Sequence, residues 1–171
     1  VAEAGRALSL APKVAGGAGG AWQLASGGRD NGIALYTGND DNIVCDLLGD
    51  WTFDVGGKRV TQRIIGGLLG HWAYWTKPAV EMLTRCQWAN TSSAAGASGS
   101  IPYDLMLLNR QVTDMNAAVF DPAHAFHGCI PGMHEVLRRQ GLLEGTWCLN
   151  PKEVLSLGQA EEITRVSQAY P

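Results

Sequence analysis

The side chains best suited to chemistry form a group of histidines and a cysteine in the last third of the chain. They are His124, His127, Cys129 and His134. Imidazole and thiolate groups are common zinc ligands, but this spacing matches no established zinc pattern, and a divalent site also needs an ordered second shell. We therefore predict no metal, and interpret the group as turn and helix-surface histidines beside a buried thiol. His71 stands apart and could act as an acid or base, although a lone histidine is weak evidence.

A short polar loop is the second candidate, and its residues are Gly38, Asn39 and Asp40. The loop follows the apolar run Ile33 to Tyr36, which is typical of a buried parallel strand. One interpretation is that the loop shapes a binding pocket. The other is a tight turn, in which Asp40 or Asp41 caps a helix from about Asn42 to Leu48.

Further elements must position these candidates. Alternation from Trp51 to Val55, two glycines and then Lys58 to Val60 predict a β-hairpin, because two-residue turns need positive φ. Ile64 to Leu69 predicts a second core strand, which ends beside three glycines. The rest is predicted to be mostly helical. The predicted helices are Thr76 to about Trp88, an amphipathic helix Ile101 to Val119, Pro131 to Gln140, and a helix opened by a Ser156–Gln159 capping box and reaching about Ala169. A small-residue linker, Ala89 to Ser100, is predicted to follow the first of them.

Composition excludes several classes of protein. With 171 residues, 46% of them hydrophobic and a net charge of -3, the chain is typical of a globular domain and offers no broad basic surface for nucleic acid. The longest apolar stretch, Ile64 to Trp75, is shorter than the ~20 residues that span a membrane. The four cysteines form no CxxC pair and no secretory signal precedes them, so we expect a cytoplasmic protein.

Two segments together resemble the dihydrodipicolinate synthase and N-acetylneuraminate lyase family. Leu35 to Asp41 is similar to the loop that ends the seventh barrel strand of that family, and Ile130-Pro131 through Gly141-Leu142-Leu143 is similar to its late helix. The resemblance implies an α/β fold: strands 7 and 8 of a (β/α)₈ TIM barrel, followed by a C-terminal helical extension. A complete barrel needs ~250 residues, and the chain begins at Val1, so we expect a fragment that is inactive alone.

The resemblance also implies a reaction, in which a lysine forms a Schiff base with pyruvate or a related 2-oxo acid. Lys13 precedes Gly38 by 25 residues, close to the separation in the family, and is the candidate lysine. Pro12 beside it is unfavourable in a strand. Gly38, Asn39, Asp40, Gly67 and Leu68 would line the substrate pocket, although close backbone packing is a simpler explanation of Gly67. The family implies no metal or organic cofactor.

The chain divides into three predicted parts. Residues 1–32 form a segment rich in Ala and Gly, which the resemblance would make the remnant of barrel strand 6 and its helix. Residues 33–100 hold the last βα units with an inserted hairpin at 51–60, and residues 101–171 hold the C-terminal helices. The hairpin carries large aromatic side chains, so we expect it to cover a neighbouring subunit of a homo-oligomer or the pocket mouth. The alternative function is a non-catalytic binding or assembly module built on a partial barrel.

Overall fold

The computed structural model describes residues 35–68, 70–94 and 100–170, and shows a mixed α/β fold. The elements in chain order are β1 Leu35–Thr37, α1 Ile43–Leu48, β2 Asp50–Val55, β3 Lys58–Gly67, α2 His71–Tyr74, α3 Thr76–Ala94, α4 Tyr103–Phe120, a 3₁₀ turn Pro122–His124, α5 Cys129–Arg139 and α6 Gln159–Ala169. Helices outnumber strands because most of the sequence after residue 70 repeats its apolar residues every three or four positions.

The described strands form one small mixed sheet in the order β1-β3-β2. β1 pairs with β3 in parallel, with Leu35 opposite Ile64 and Thr37 opposite Gly67, so the predicted parallel neighbours are confirmed. Helix α1 and strand β2 supply the crossover that parallel pairing requires. The prediction that the first strand is buried is wrong in part, since Tyr36 is 61% exposed. Among the described residues, no layer covers that side chain.

The predicted hairpin is confirmed, but it is larger than expected. β2 and β3 pair in antiparallel register from Asp50 opposite Arg63 to Val55 opposite Lys58, with positive φ at both turn glycines. The second hairpin arm and the second core strand were predicted as separate elements, whereas the structure joins them in β3. β3 therefore pairs with β2 along its first half and with β1 along its second half.

Two apolar clusters hold the helices together, and the first also packs against the sheet through Ile64 of β3. The first joins α1 with α3 and α4 around Val44, Cys86 and Val112, and the second joins α4 with α5 and α6 around Val119 and Ile163. The prediction of a linker from residue 89 is wrong up to residue 94, because α3 continues through it. Ala89 is buried in the first cluster there, while residues 95–99 lie outside the described ranges.

The final helix begins after the predicted capping box, and only half of that box forms. The Ser156 N–H donates to Oε1 of Gln159 at 3.0 Å, as the box requires. The Ser156 hydroxyl donates instead to the carboxylate of Asp121 at 2.6 Å. Gly158 consequently takes the N-cap position, and α6 starts at Gln159.

Candidate functional site

The two parallel strands end side by side, and a hydrogen bond joins their ends. The N–H of Leu68 donates to the carbonyl oxygen of Thr37 at 3.1 Å, next to the register pair of Thr37 and Gly67. The loops that follow β1 and β3 therefore meet at one edge of the sheet. Ligands of folds with parallel sheets bind at this carboxyl edge.

Thr37 fixes the first loop to the helix that follows it. Its buried hydroxyl donates to a carboxylate oxygen of Asp46 at 2.7 Å and accepts the N–H of Asn39 at 2.9 Å. The side-chain oxygen of Asn39 in turn accepts the N–H of Asn42 at 3.2 Å, where α1 begins. The capping role predicted for Asp40 or Asp41 is wrong, because Asn42 is the N-cap residue and no side chain forms a capping hydrogen bond with α1.

Asp40 connects the first loop with the second loop and with α4. Its carbonyl oxygen accepts a hydrogen bond from Nδ2 of Asn116 at 2.6 Å. Gly70 lies against the same residue, and a Cβ atom at position 70 would be 2.8 Å from Cβ of Asp40. Since φ of Gly70 is +64°, a side chain there is disfavoured by both strain and space.

A buried polar group lies directly behind the second loop. Oδ1 of Asn116 accepts the hydroxyl of Tyr74 at 2.7 Å and contacts Nδ1 of His71 at 3.0 Å. Burial lowers the pKa of His71 to about 4, although its hydrogen bond with Asn116 acts in the opposite direction. Burial, together with the nearby carboxylate of Asp40, raises the pKa of Tyr74 above its usual range. At neutral pH both side chains are therefore uncharged, and this group offers hydrogen-bonding atoms without a charge.

The predicted pocket residues differ in what they contact. Gly38 and Asn39 are exposed and Asp40 is half-buried. Leu68 is 57% exposed at the end of β3. A Cβ atom on Gly67 would collide with the indole of Trp72 and with Ile43, which supports the packing explanation of that glycine.

Of the other candidates from the sequence, Lys13 lies outside the described residues. The histidines and cysteine of the last third are dispersed: Nδ1 of His124 lies 2.6 Å from a carboxylate oxygen of Asp121, whereas His134 contacts Cys148 at 3.9 Å. Within the described ranges, no three His, Cys, Asp or Glu side chains converge as metal ligands would.

Sequence reasoning missed Asn116 and Tyr74, the residues that organise the buried group. Asn116 follows Val112 by one helical turn, so it stands on the apolar face of α4 that the periodicity identifies. A fully buried amide on such a face requires partners, and this was the available signal. Nothing comparable marks Tyr74, because tyrosine is equally common in ordinary cores.

Comparison with known proteins adds no relative to this picture. No family model, no curated protein and no solved structure matches the chain.

Proposed function

We propose that this chain supplies the last two strands and the C-terminal helices of a (β/α)₈ barrel that acts on pyruvate or a related 2-oxo acid through a lysine Schiff base. The observation that supports this proposal is the parallel pairing of β1 with β3, whose ends are joined by the hydrogen bond from Leu68 to Thr37. Neighbouring parallel strands with loops meeting at their carboxyl edge are the arrangement in which such barrels hold substrate. The reaction would be a carbon–carbon synthase or lyase step.

The lysines favour Lys13 as the Schiff-base residue. The sequence has four lysines, and the structure describes Lys58, Lys77 and Lys152. All three are exposed, so none has the desolvated setting that keeps a catalytic amine neutral. Lys13 remains, at the separation from the Gly38 loop that the family resemblance implies.

The described loops would serve substrate binding rather than bond making. Asn39 and Asp40 present polar atoms at the strand ends, while Thr37 and Asn116 hold this loop in place. In the proposed reaction the iminium itself accepts the electron pair, so no metal or organic cofactor takes part. All four cysteines are free thiols, which suits the reducing cytoplasm.

Borohydride trapping tests this proposal. The protein is purified from its own cells under mild conditions, so that any associated strands or subunits remain, and is then treated with pyruvate and sodium borohydride. We expect a reduced pyruvate adduct on the peptide that contains Lys13, and none when pyruvate is omitted. Mass spectrometry that finds no adduct, or finds it only on the exposed Lys58, Lys77 and Lys152, contradicts the proposal.

A non-catalytic assembly module is the second candidate, and exposed apolar groups favour it. Within the described residues β1 pairs only with β3, so its other edge has no partner there. Tyr36 and Leu68 at the same end of the sheet are 61% and 57% exposed. An open strand edge beside apolar side chains favours pairing with another chain. A monomer in light scattering that also melts in one cooperative step would contradict this second candidate.

A further inference from the structure

The short helix α2 is held in place by hydrogen bonds to other parts of the chain. It has four residues, and a single helical turn is not stable by itself. His71 and Tyr74 both bond Oδ1 of Asn116 on α4, and the carbonyl oxygen of Tyr74 accepts Nε2 of Gln140, which follows α5, at 2.6 Å. These contacts therefore keep the loop after β3 against α4.

The hydrogen bonds of Asn116 determine which nitrogen of His71 carries the hydrogen. Nδ2 of Asn116 donates to the carbonyl of Asp40, which can only accept, so Oδ1 faces His71. Because an amide oxygen only accepts, Nδ1 of His71 donates to it at 3.0 Å. The neutral imidazole therefore has its one hydrogen on Nδ1 and a lone pair on Nε2.

The second nitrogen of this ring is enclosed by the protein. His71 is 5% exposed, and its Nε2 has no hydrogen-bond partner within the part of the chain that the structure describes. A protonated imidazole carries a second N–H on this nitrogen, and a buried N–H without an acceptor is strongly disfavoured. The closed position of α2 therefore accommodates the neutral imidazole but not the imidazolium.

The surroundings of His71 do not compensate for a positive charge. Burial lowers its pKa to about 4, against the hydrogen bond with Asn116, and no charged side chain among the described residues shifts this pKa further. The titratable groups that the neighbouring elements bring near α2 are Asp40 and Asp41 after β1, Cys129 of α5, Glu81 and Arg85 of α3, and Tyr170 after α6.

We propose that α2 is an acid-sensitive switch, in which protonation of His71 releases α2 from α4 and opens the loop that follows β3. In the released position both nitrogens of the imidazolium donate to water, which offsets the loss of the Asn116 contact. That loop borders the strand-end site, so the switch would expose the site in acid. The switch is a property of the fold and does not depend on the Schiff-base chemistry, which borohydride trapping tests separately.

Amide hydrogen exchange between pH 8 and pH 5 tests this switch, because histidines titrate in that range and ordinary carboxylates do so only below it. The amide of Trp75 donates to the carbonyl of His71, so its exchange reports the opening of α2. With an ordinary pKa of 6.5 in the released position and about 4 in the closed one, we expect the opening constant to rise about 30-fold from pH 8 to pH 5. At pH 5 it should exceed the opening constant in the middle of α6 by at least about tenfold, because α2 opens without unfolding that helix.

Two variants identify the group that titrates. His71→Phe keeps an aromatic ring but cannot be protonated, so the opening constant should be the same at pH 8 and pH 5. Asp41→Asn is the control, since burial and the carboxylate of Asp40 raise the pKa of Asp41, and it should keep the full rise. The wild-type measurement decides by itself if His71→Phe does not fold. A wild-type rise of less than about threefold, a rise that persists in His71→Phe or is lost in Asp41→Asn, or equal opening constants for α2 and α6 at pH 5 would each overturn the proposal.

Discussion

At the scale of single residues, the side chain of Asn116 forms three hydrogen bonds close to the strand ends. It is fully buried and satisfies three groups that come from other parts of the chain: the Asp40 carbonyl, the Tyr74 hydroxyl and Nδ1 of His71. An amide suits this position because it has both donors and an acceptor and adds no charge. The loops after β1 and β3 are thereby held against α4.

Replacing this amide should destabilise the protein strongly. Asn116→Ala leaves the three partners unpaired in the interior, and we expect a loss of about 2–4 kcal/mol in the free energy of unfolding. Asn109→Ala is the matched control on the same helix, since its hydrogen bond to Asn42 is exposed, and should cost about 1 kcal/mol or less. Urea denaturation measures both values. Equal losses in the two variants would show that the buried network adds little.

At the scale of elements, an ion pair network joins the last two helices. Glu135 of α5 is buried and accepts hydrogen bonds from Arg138 and Arg139 at 2.7–2.8 Å. Arg139 also donates to the Ala160 carbonyl and the Thr164 hydroxyl of α6. The carboxylate therefore fixes the arginine that fastens α6 to α5.

This network predicts a dependence of stability on pH. The hydrogen bond from Arg138, followed by that from Arg139, outweighs burial and lowers the pKa of Glu135 from 4.5 to about 2. Because the folded-state pKa is the lower one, the stabilisation is complete above pH 4.5 and is lost as the pH falls towards 2. We expect Glu135→Gln to remove about 2 kcal/mol at pH 7 and much less near pH 2.

The measurement is the difference in unfolding free energy between wild type and variant across that range of pH. Other carboxylates titrate there as well, so the exposed Glu161→Gln on α6 serves as control and should show no such difference. A Glu135→Gln penalty that is the same at pH 7 and pH 2 would argue against the ion pair as its source.

At the scale of the whole molecule, the sheet is small and its hairpin projects aromatic side chains into solvent. Trp51 and Phe53 on β2 are 42% and 46% exposed, and neither belongs to the two apolar clusters that hold the helices. No helix among the described residues is long and apolar enough to cross a membrane. Because they are exposed and aromatic, Trp51 and Phe53 are candidates for a contact between protein subunits.

Removing these aromatics tests that contact. The double variant Trp51→Ser, Phe53→Ser should lower the mass measured by light scattering, because it removes apolar area from the hairpin while sparing both cores. Trp147→Ser is the control, since Trp147 is 71% exposed and belongs to the chain segment that connects α5 to α6. An unchanged mass in the double variant would contradict a role of the hairpin in assembly.

The sequence by itself determined much of the local structure. The amphipathic repeat located α4 within two residues, paired glycines located the hairpin, and two apolar runs separated by a crossover gave the parallel pair β1 and β3. Periodicity and turn chemistry depend on near neighbours in the chain, which is why they can be read directly. Only the tertiary structure decided that Asn116 meets His71 and Tyr74, more than 40 positions away, and that the Ser156 hydroxyl bonds Asp121 rather than a backbone N–H of its own helix. Such pairings depend on which buried polar groups packing brings within 3 Å, and no local pattern encodes that distance.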